Sequence, residues 1–562
     1  MSGMSYLRSA VCAAAIVSFG LPALAQTSAQ PGHLNERFQP RPAAPSVGAP
    51  LDIPNTVKPA APSDAAAATF TITGVSFEGN TVLPDAQLQS VAAPYIGRPI
   101  SLADANEMAG KITALYRDAG YILVRAVVPA QQVNGGVLKI QILQGYVDKV
   151  NIQGNAGGAR PYLQAYGERI ARSKPLTAKV MERELLLASD LSGMNVRSVL
   201  TASQTVPGAA DLTLLVEPKK VDAFLSLDNR GSRYLGPYEV QAGVFFNDAF
   251  GTGGRLGLNT VVTPDTGPDL VYGGASFDQP LGTDGLRLFS AVSYAATKPG
   301  STLRVFNTQG SALSADSSLS YPFIRSRDLN LQGSLDFAYH DIRSDNIVVN
   351  PLFSDHTRAL TATMFLNALD DLGGYSTLSV SLTRGIPVFG ATKFSDPSKS
   401  RTGASGEYTR GNFQAMHEQP LTDRFSVMVG AAGQTSFGDP LLASEQFSLG
   451  SDSFDRAYDP SEVTGDSAIA GRIEPRFMLA DQISFISSLQ LYSFLEGGEV
   501  WQSRALAGTP GSQTLESVGA GLRFLVGDHM NVDLQWAKPL EHNVLGVASL
   551  NSRFFFSVGI NL

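Results

Sequence analysis

The side chains of this 562-residue chain that could carry acid–base, nucleophilic or metal chemistry are few, and their spacing supports none of it. Six histidines are scattered along the sequence and there is one cysteine. His417-Glu418 lacks the second histidine, four residues on, with which a His-Glu-x-x-His helix would hold zinc. No Gly-x-Ser-x-Gly elbow and no Walker-type phosphate loop occurs. Asp370-Asp371 precedes Gly373-Gly374 and reads as a solvated connection between strands. Cys12 lies in a start made of Arg8, an apolar run from Ala10 to Phe19, and Ala23-x-Ala25. That pattern is a secretory signal peptide over 1–25, cleaved between Ala25 and Gln26. About ten apolar residues are too few to anchor in a bilayer that needs about twenty. Loss of Cys12 removes disulfides, thiolate nucleophiles and Cys-ligated zinc. No enzyme activity, cofactor or resident metal is expected.

The elements that position the remaining polar residues follow from composition and order. Lys and Arg number 42 against 50 Asp and Glu, a formal charge of −8. Bulk charge therefore gives no support to nucleic-acid binding. Charged residues make up only 16% of the chain and glycines number 55. Low charge with many turn-forming residues fits a β-rich membrane protein better than a soluble α/β enzyme. No stretch after the signal peptide is long and apolar enough for a spanning helix.

Residues 26–68 are rich in Ala, Pro, Ser and Gln and read as an extended tether. Within it, Leu34 to Phe38 carries only a weak amphipathic helical signal. An internal repeat follows. Phe77-Glu78-Gly79-Asn80 returns as Ile152-Gln153-Gly154-Asn155, and Arg98-Pro99-Ile100-Ser101 as Lys174-Pro175-Leu176-Thr177. Each copy opens with an alternating strand, Phe70 to Phe77 or Val147 to Ile152, then a helical region. Ser101 or Thr177 caps a second helix that stops before Gly120 or Gly193. Two strands close each unit: Leu123 to Pro129 with Val137 to Leu143, then Val196 to Ser203 with Asp211 to Val216. The order β-α-α-β-β predicts two α+β domains, 69–145 and 146–219.

From 220 to 562 the chain becomes short β-patterned segments between Gly, Asp, Asn and Pro turns. Phe554, Phe556, Val558, Ile560 and Leu562 alternate with polar residues, Phe555 excepted. Met530, Val532, Leu534 and Trp536 do the same, as do Leu378, Val380 and Leu382. Lipid-out, water-in alternation in segments of about ten residues is the signature of a transmembrane barrel. About sixteen segments fit the roughly 340 residues available. The longest gap, 435–466, falls between the eleventh and twelfth.

The repeat order, with Gly-Asn after the first strand and Ala119-Gly120-Tyr121 before the second, resembles the polypeptide-transport-associated (POTRA) domain. Tyr116 to Val124 resembles the version found in hemolysin secretion/activation proteins. In the long gap, Asp455-Arg456-Ala457-Tyr458 stands where two-partner secretion transporters of the ShlB/FhaC/HecB family carry Val-Arg-Gly-Tyr. Arg456 and Tyr458 match; Asp455 and Ala457 depart. On the thirteenth segment Phe494-Leu495-Glu496-Gly497-Gly498 stands for Phe-x-Asp-x-Gly, with Glu496 replacing the aspartate.

This resemblance covers essentially the whole chain after the signal peptide. It implies a lid loop folded into the barrel, its tip held by an Arg456–Glu496 pair that a planar guanidinium fork suits. Asp455 is a competitor for Arg456, and the extra methylene of Glu496 sets the loop slightly further from the wall. It also implies an outer-membrane exporter. Periplasmic repeats would capture an unfolded secreted partner, typically a large β-helical protein, which crosses the lumen after the lid moves. Outer-membrane lipids are the other expected partner. The rivals are an assembly factor that inserts proteins into the membrane and a passive porin. Repeats 70–219 are expected in the periplasm and 435–466 outside, while the turn Gly282-Thr283-Asp284-Gly285 has no side assigned.

Overall fold

The computed structural model describes residues 30–39, 41, 69–206, 208–264, 269–450, 452–480, 485–505, 510–541 and 551–562. The signal-peptide expectation, with Ala25 and Gln26, lies outside them, as does most of the expected tether.

Each repeat is a three-stranded sheet under two helices. In the first, Gly74–Glu78 runs parallel to Val137–Gln144, which pairs antiparallel with Val124–Val127. The opening strand is not continuous as expected. Thr69–Thr71 instead pairs with Pro99–Ser101, and the chain breaks where Ile72 turns fully into the core. The second repeat has the same order, Val147–Gly154, Ala210–Pro218, Met194–Ala202. The shared Gly-Asn has a steric cause. Gly79 and Gly154 both have positive φ, and a Cβ there would lie 2.5 Å from the Ile142 carbonyl oxygen and 2.1 Å from that of Val216.

Ser101 caps the helix Leu102–Asp118 in a reciprocal box with Asp104, and Thr177 accepts from the Val180 N–H at the start of Ala178–Ser189. Ala105, Met108, Ile112 and Tyr116 of the first of these helices are buried against their sheet. The repeats are locked together. The Ala178 N–H donates to the Gly120 carbonyl at 2.8 Å, and Ile122 and Leu123 of the first repeat pack on the core of the second.

Sixteen antiparallel strands, from Val221–Asp228 to Arg553–Asn561, close into a barrel, as the alternation predicts. First and last strands pair from Ser557↔Asp228 to Asn561↔Phe224. Closure leaves no free sheet edge, which a strand surrounded by hydrocarbon requires. Leu378, Val380 and Leu382 face outward and are exposed, while Thr383 is buried on the inner side. Phe555, the break in the terminal alternation, points inward and is buried in a cluster with Phe454, Ala457 and Tyr458.

The lumen is filled from two directions. Part of the expected tether is a helix, Pro31–Phe38, inside the barrel. Its Leu34 and Phe38 pack against Tyr272, Ala295, Ala312 and Ile342 of the wall. Its Arg37 forms a two-pronged pair with Glu239 of the second strand (Glu239–Asn247), at 2.8 and 2.7 Å. A weak sequence signal becomes a helix here because the wall supplies the apolar surface that an eight-residue helix lacks alone.

The second repeat docks on one rim. Arg325 grips Asp190 bidentately at 2.8 and 2.7 Å, and Arg183 reaches Asp284 at 3.0 Å. The turn 282–285 therefore lies on the repeat side. Alternating connections place 435–466 at the opposite rim.

Candidate functional site

Between the eleventh strand, Phe425–Thr435, and the twelfth, Ser467–Ala480, the chain folds back into the lumen. A two-stranded stem, Phe447–Leu449 paired with Val463–Gly465, carries a tip at 450–462. The tip turns through Asp455, whose φ is +62° and whose carbonyl accepts the Tyr458 N–H at 3.0 Å. Aspartate is among the few side chains that tolerate the left-handed region. Ala457 does not have positive φ, so a methyl at this position adds no backbone strain.

The turn delivers Arg456 to the wall. Its backbone N–H and its Nε both donate to the Glu496 carboxylate, the latter at 3.1 Å. Its Nη2 lies 2.8 Å from the carboxylate of Glu474, which the sequence reading did not identify. The guanidinium also covers the Phe494 ring, 3.7 Å from its centroid. These partners converge because strand side chains repeat every two residues. Tyr492, Phe494, Glu496 and Gly498 share the inner face of the thirteenth strand, Ile486–Trp501. Glu474 lies on the inner face of the twelfth, whose Arg472 is in register with Glu496. Gly498 has no room for a side chain: a Cβ would come within 2.9 Å of the Ile469 carbonyl oxygen and of the stem's Leu449. The Tyr458 hydroxyl donates to the Glu516 carbonyl at 3.2 Å and accepts the Glu541 N–H at 3.3 Å.

One expectation changes. Asp455 does not compete for Arg456: it is completely buried, and neither carboxylate oxygen has a hydrogen-bond partner. Glu496 bonds the tip's backbone as well as its side chain. The site is also dry. Arg456 is 5% exposed, Glu496 3% and Glu474 0%. Glu474 is shared further with Arg476 and Arg523, each at 2.8 Å, and Arg523 continues to Asp533 at 3.0 Å. One signal for Glu474 was present in the sequence. Arg472-Ile473-Glu474-Pro475-Arg476 sets charge at every second position, which is the inner face of a barrel strand.

The other candidates make no contact with Arg456. His417 Nδ1 is 2.8 Å from Ser376 Oγ, whereas Glu418 pairs with Arg476 and so joins the far side of the Glu474 network. Asp370 accepts the N–H groups of Leu372 and Gly374 at 2.9 and 2.7 Å and shapes a turn. Among the described residues no group of three or more His, Cys, Asp or Glu side chains is arranged for a metal ion.

Residues 209–524 match the family described as Haemolysin secretion/activation protein ShlB/FhaC/HecB, and residues 70–145 match POTRA domain, ShlB-type. The Heme/hemopexin transporter protein HuxB of Haemophilus influenzae is 25% identical over 465 residues, 82% of this chain and 81% of that protein. The Outer membrane transporter CdiB of Escherichia coli is 25% identical over 497 residues, 84% of this chain and 79% of the relative. Among solved structures, CdiB from Escherichia coli superposes with a TM-score of 0.70 at 21% identity, covering 91% of this chain and 94% of that one. BamA from Haemophilus ducreyi, lacking POTRA domains 1–3, gives 0.51 at 15% identity, over 88% and 100%. The two structural likenesses speak for the fold.

Proposed function

This chain belongs to the haemolysin secretion/activation protein family ShlB/FhaC/HecB, and from that premise we propose how its parts act in export. It is an outer-membrane transporter of two-partner secretion, with its POTRA domains in the periplasm. The two repeats hold an unfolded partner chain near the rim on which the second repeat is docked. The partner then passes through the lumen after the helix 31–38 and the lid tip have left their seats. It is a large protein that becomes β-helical outside, and its folding there makes passage directional. Sheet edges of the repeats, such as Met194–Ala202, add a strand from an extended polypeptide. The outward apolar face of the barrel meets lipid.

The observation that carries this reading is the double closure of the lumen. A tip pinned through Arg456 and a helix latched through Arg37 together fill a space that a passive porin would leave open. Both stoppers are fastened by ion pairs within a polar interior, which water can replace when the stoppers leave. The seam between first and last strands, by contrast, is completed by Asn229. Its side chain donates to the Phe554 carbonyl at 2.9 Å and accepts the Phe556 N–H at 2.7 Å, extending the ladder beyond the paired strands. That fastening favours passage along the lumen over opening of the wall.

The test is a comparison of culture supernatants and outer membranes, by mass spectrometry, from cells with and without this chain. Loss of one large exported protein, restored by complementation, supports export. An unchanged supernatant with a general loss of outer-membrane barrels would instead establish the insertion activity of the rival reading.

A further inference from the structure

The lid is held at two places. At its tip, Arg456 joins the wall at Glu474 and Glu496, through its backbone N–H as well as its guanidinium, and Asp459 pairs with Arg553 at 2.7 Å; beside Ser461, Glu462 pairs with Arg233 of the outer loop 229–238 at 2.7 Å. At its stem the fastening is built around one carboxylate. Asp466, completely buried, ends the lid just before the twelfth strand. Its oxygens accept the backbone N–H groups of Leu441 at 2.9 Å and Ser503 at 2.7 Å, the Gln446 amide at 3.2 Å, and two bonds from Arg401. Arg401 sits in the outer loop 386–408, between the ninth strand (Tyr375–Gly385) and the tenth (Thr409–Pro420). It also donates to the Leu441 carbonyl at 2.6 Å and to Gln502 at 2.7 Å. One guanidinium thus joins both ends of the lid to two neighbouring outer loops.

Resting on the export reading above, we infer that Arg401 is the positioning residue of the lid stem, and that the lid opens by its tip alone. The tip turns on Gly450 and Ser461 while the stem and the outer loops joined by Arg401 stay in place. Three observations carry this. The buried Asp466 carboxylate loses its three bonds to groups outside the lid, two from Arg401 and one from the Ser503 N–H, if the stem swings out. The stem has its own strand pairing from Phe447↔Gly465 to Leu449↔Val463, so it moves as a unit or not at all. The residues at the two feet of the tip, Gly450 with φ +90° and Ser461 with φ +54°, are joined by the Ser461 N–H to Gly450 carbonyl bond at 2.8 Å. Such positions absorb large dihedral changes over a short length of chain.

The experiment ties the stem covalently to the outer loop in the full-length protein. Ala443 N–H donates to Ser400 Oγ at 3.0 Å, so Ser400→Cys with Ala443→Cys spans that contact. Cys12 is the one native cysteine, which keeps the chemistry clean. Ser436→Cys with Ser503→Cys, whose hydroxyls lie 3.3 Å apart, is the second tie. Bond formation is read from gel mobility with and without reductant, and folding from heat-modifiable migration. Export by the tied protein should equal that of the untied one. Arg401→Ala should lose most of its export, and the oxidised tie should restore it, with reductant bringing the defect back. Export that stops on oxidation of either tie and resumes on reduction would overturn tip-only opening. An Arg401→Ala defect that persists in the tied protein would show that Arg401 does not act through the stem. Should Arg401→Ala fail to fold, the tied wild-type background still decides. A wild-type chain that exports nothing in these cells refutes the transporter reading, a result distinct from either.

Discussion

Glu496 carries the tip of the lid on both of its oxygens, one accepting the backbone N–H of Arg456 and the other its guanidinium Nε. Breaking a fully buried charge pair by removing one partner costs about 3–5 kcal/mol. Here that penalty drives the tip off the wall rather than unfolding the barrel, which rests on closed strand pairing. Arg456→Ala and Glu496→Ala should each sharply reduce secretion and alter channel conductance, while heat-modifiable migration persists. The double variant should be no worse than either alone, because one shared interaction is removed once. Fully additive losses would mean that the residues act separately. Glu496→Asp should be mild if the tip can follow the wall inward by one bond length.

Glu474 extends that prediction. It holds Arg456 together with Arg476 and Arg523, so Glu474→Gln removes the charge shared by three guanidiniums. The tip should loosen even with Glu496 intact. Single-channel recordings that match the wild type in this variant would reduce Glu474 to a wall residue with no part in the lid.

The luminal helix rests on Arg37 and Glu239. Arg37→Ala, or deletion of residues 30–41, should raise the open probability and the mean conductance in planar bilayers. Glu239→Gln should do the same from the wall side. An unaltered conductance after the deletion would show that the helix does not obstruct the lumen.

Deleting residues 70–145 should abolish export and leave a folded barrel in the membrane. The packing of Ile122 and Leu123 on the second core adds a condition, since this deletion uncovers apolar surface there. Deleting 70–118 alone separates the loss of capture from damage to the second repeat. Undiminished secretion from both truncations would count against recognition by the first repeat.

Orientation can be read by protease. The Arg183–Asp284 and Arg325–Asp190 contacts put repeats and turn 282–285 on one side. Residues 70–219 should resist protease added to intact cells and be cut once the outer membrane is permeabilised. Cleavage of the repeats in sealed cells would reverse the topology.

What the sequence determined was whatever depends on local period and local sterics. Alternation of two, as in Leu378-x-Val380-x-Leu382, marks inner and outer faces without knowledge of the neighbours. The Gly79-Asn80 and Gly154-Asn155 turns announce themselves because a side chain would strike a carbonyl, and Ser101 with Asp104 forms a cap within one turn of helix. The motif residues Arg456 and Glu496 were legible through resemblance, although 40 positions separate them. Tertiary structure alone decided the rest. Glu474 became a partner of Arg456 because strand register sets two inner faces side by side, and register is not written in either strand. Helix 31–38 formed because the lumen supplies its apolar partner. Asp466 and Arg401 met because two outer loops close over one carboxylate, a convergence that no spacing along the chain records. Long-range pairing of charges depends on where closure of the barrel brings the strands, and closure belongs to all sixteen strands together.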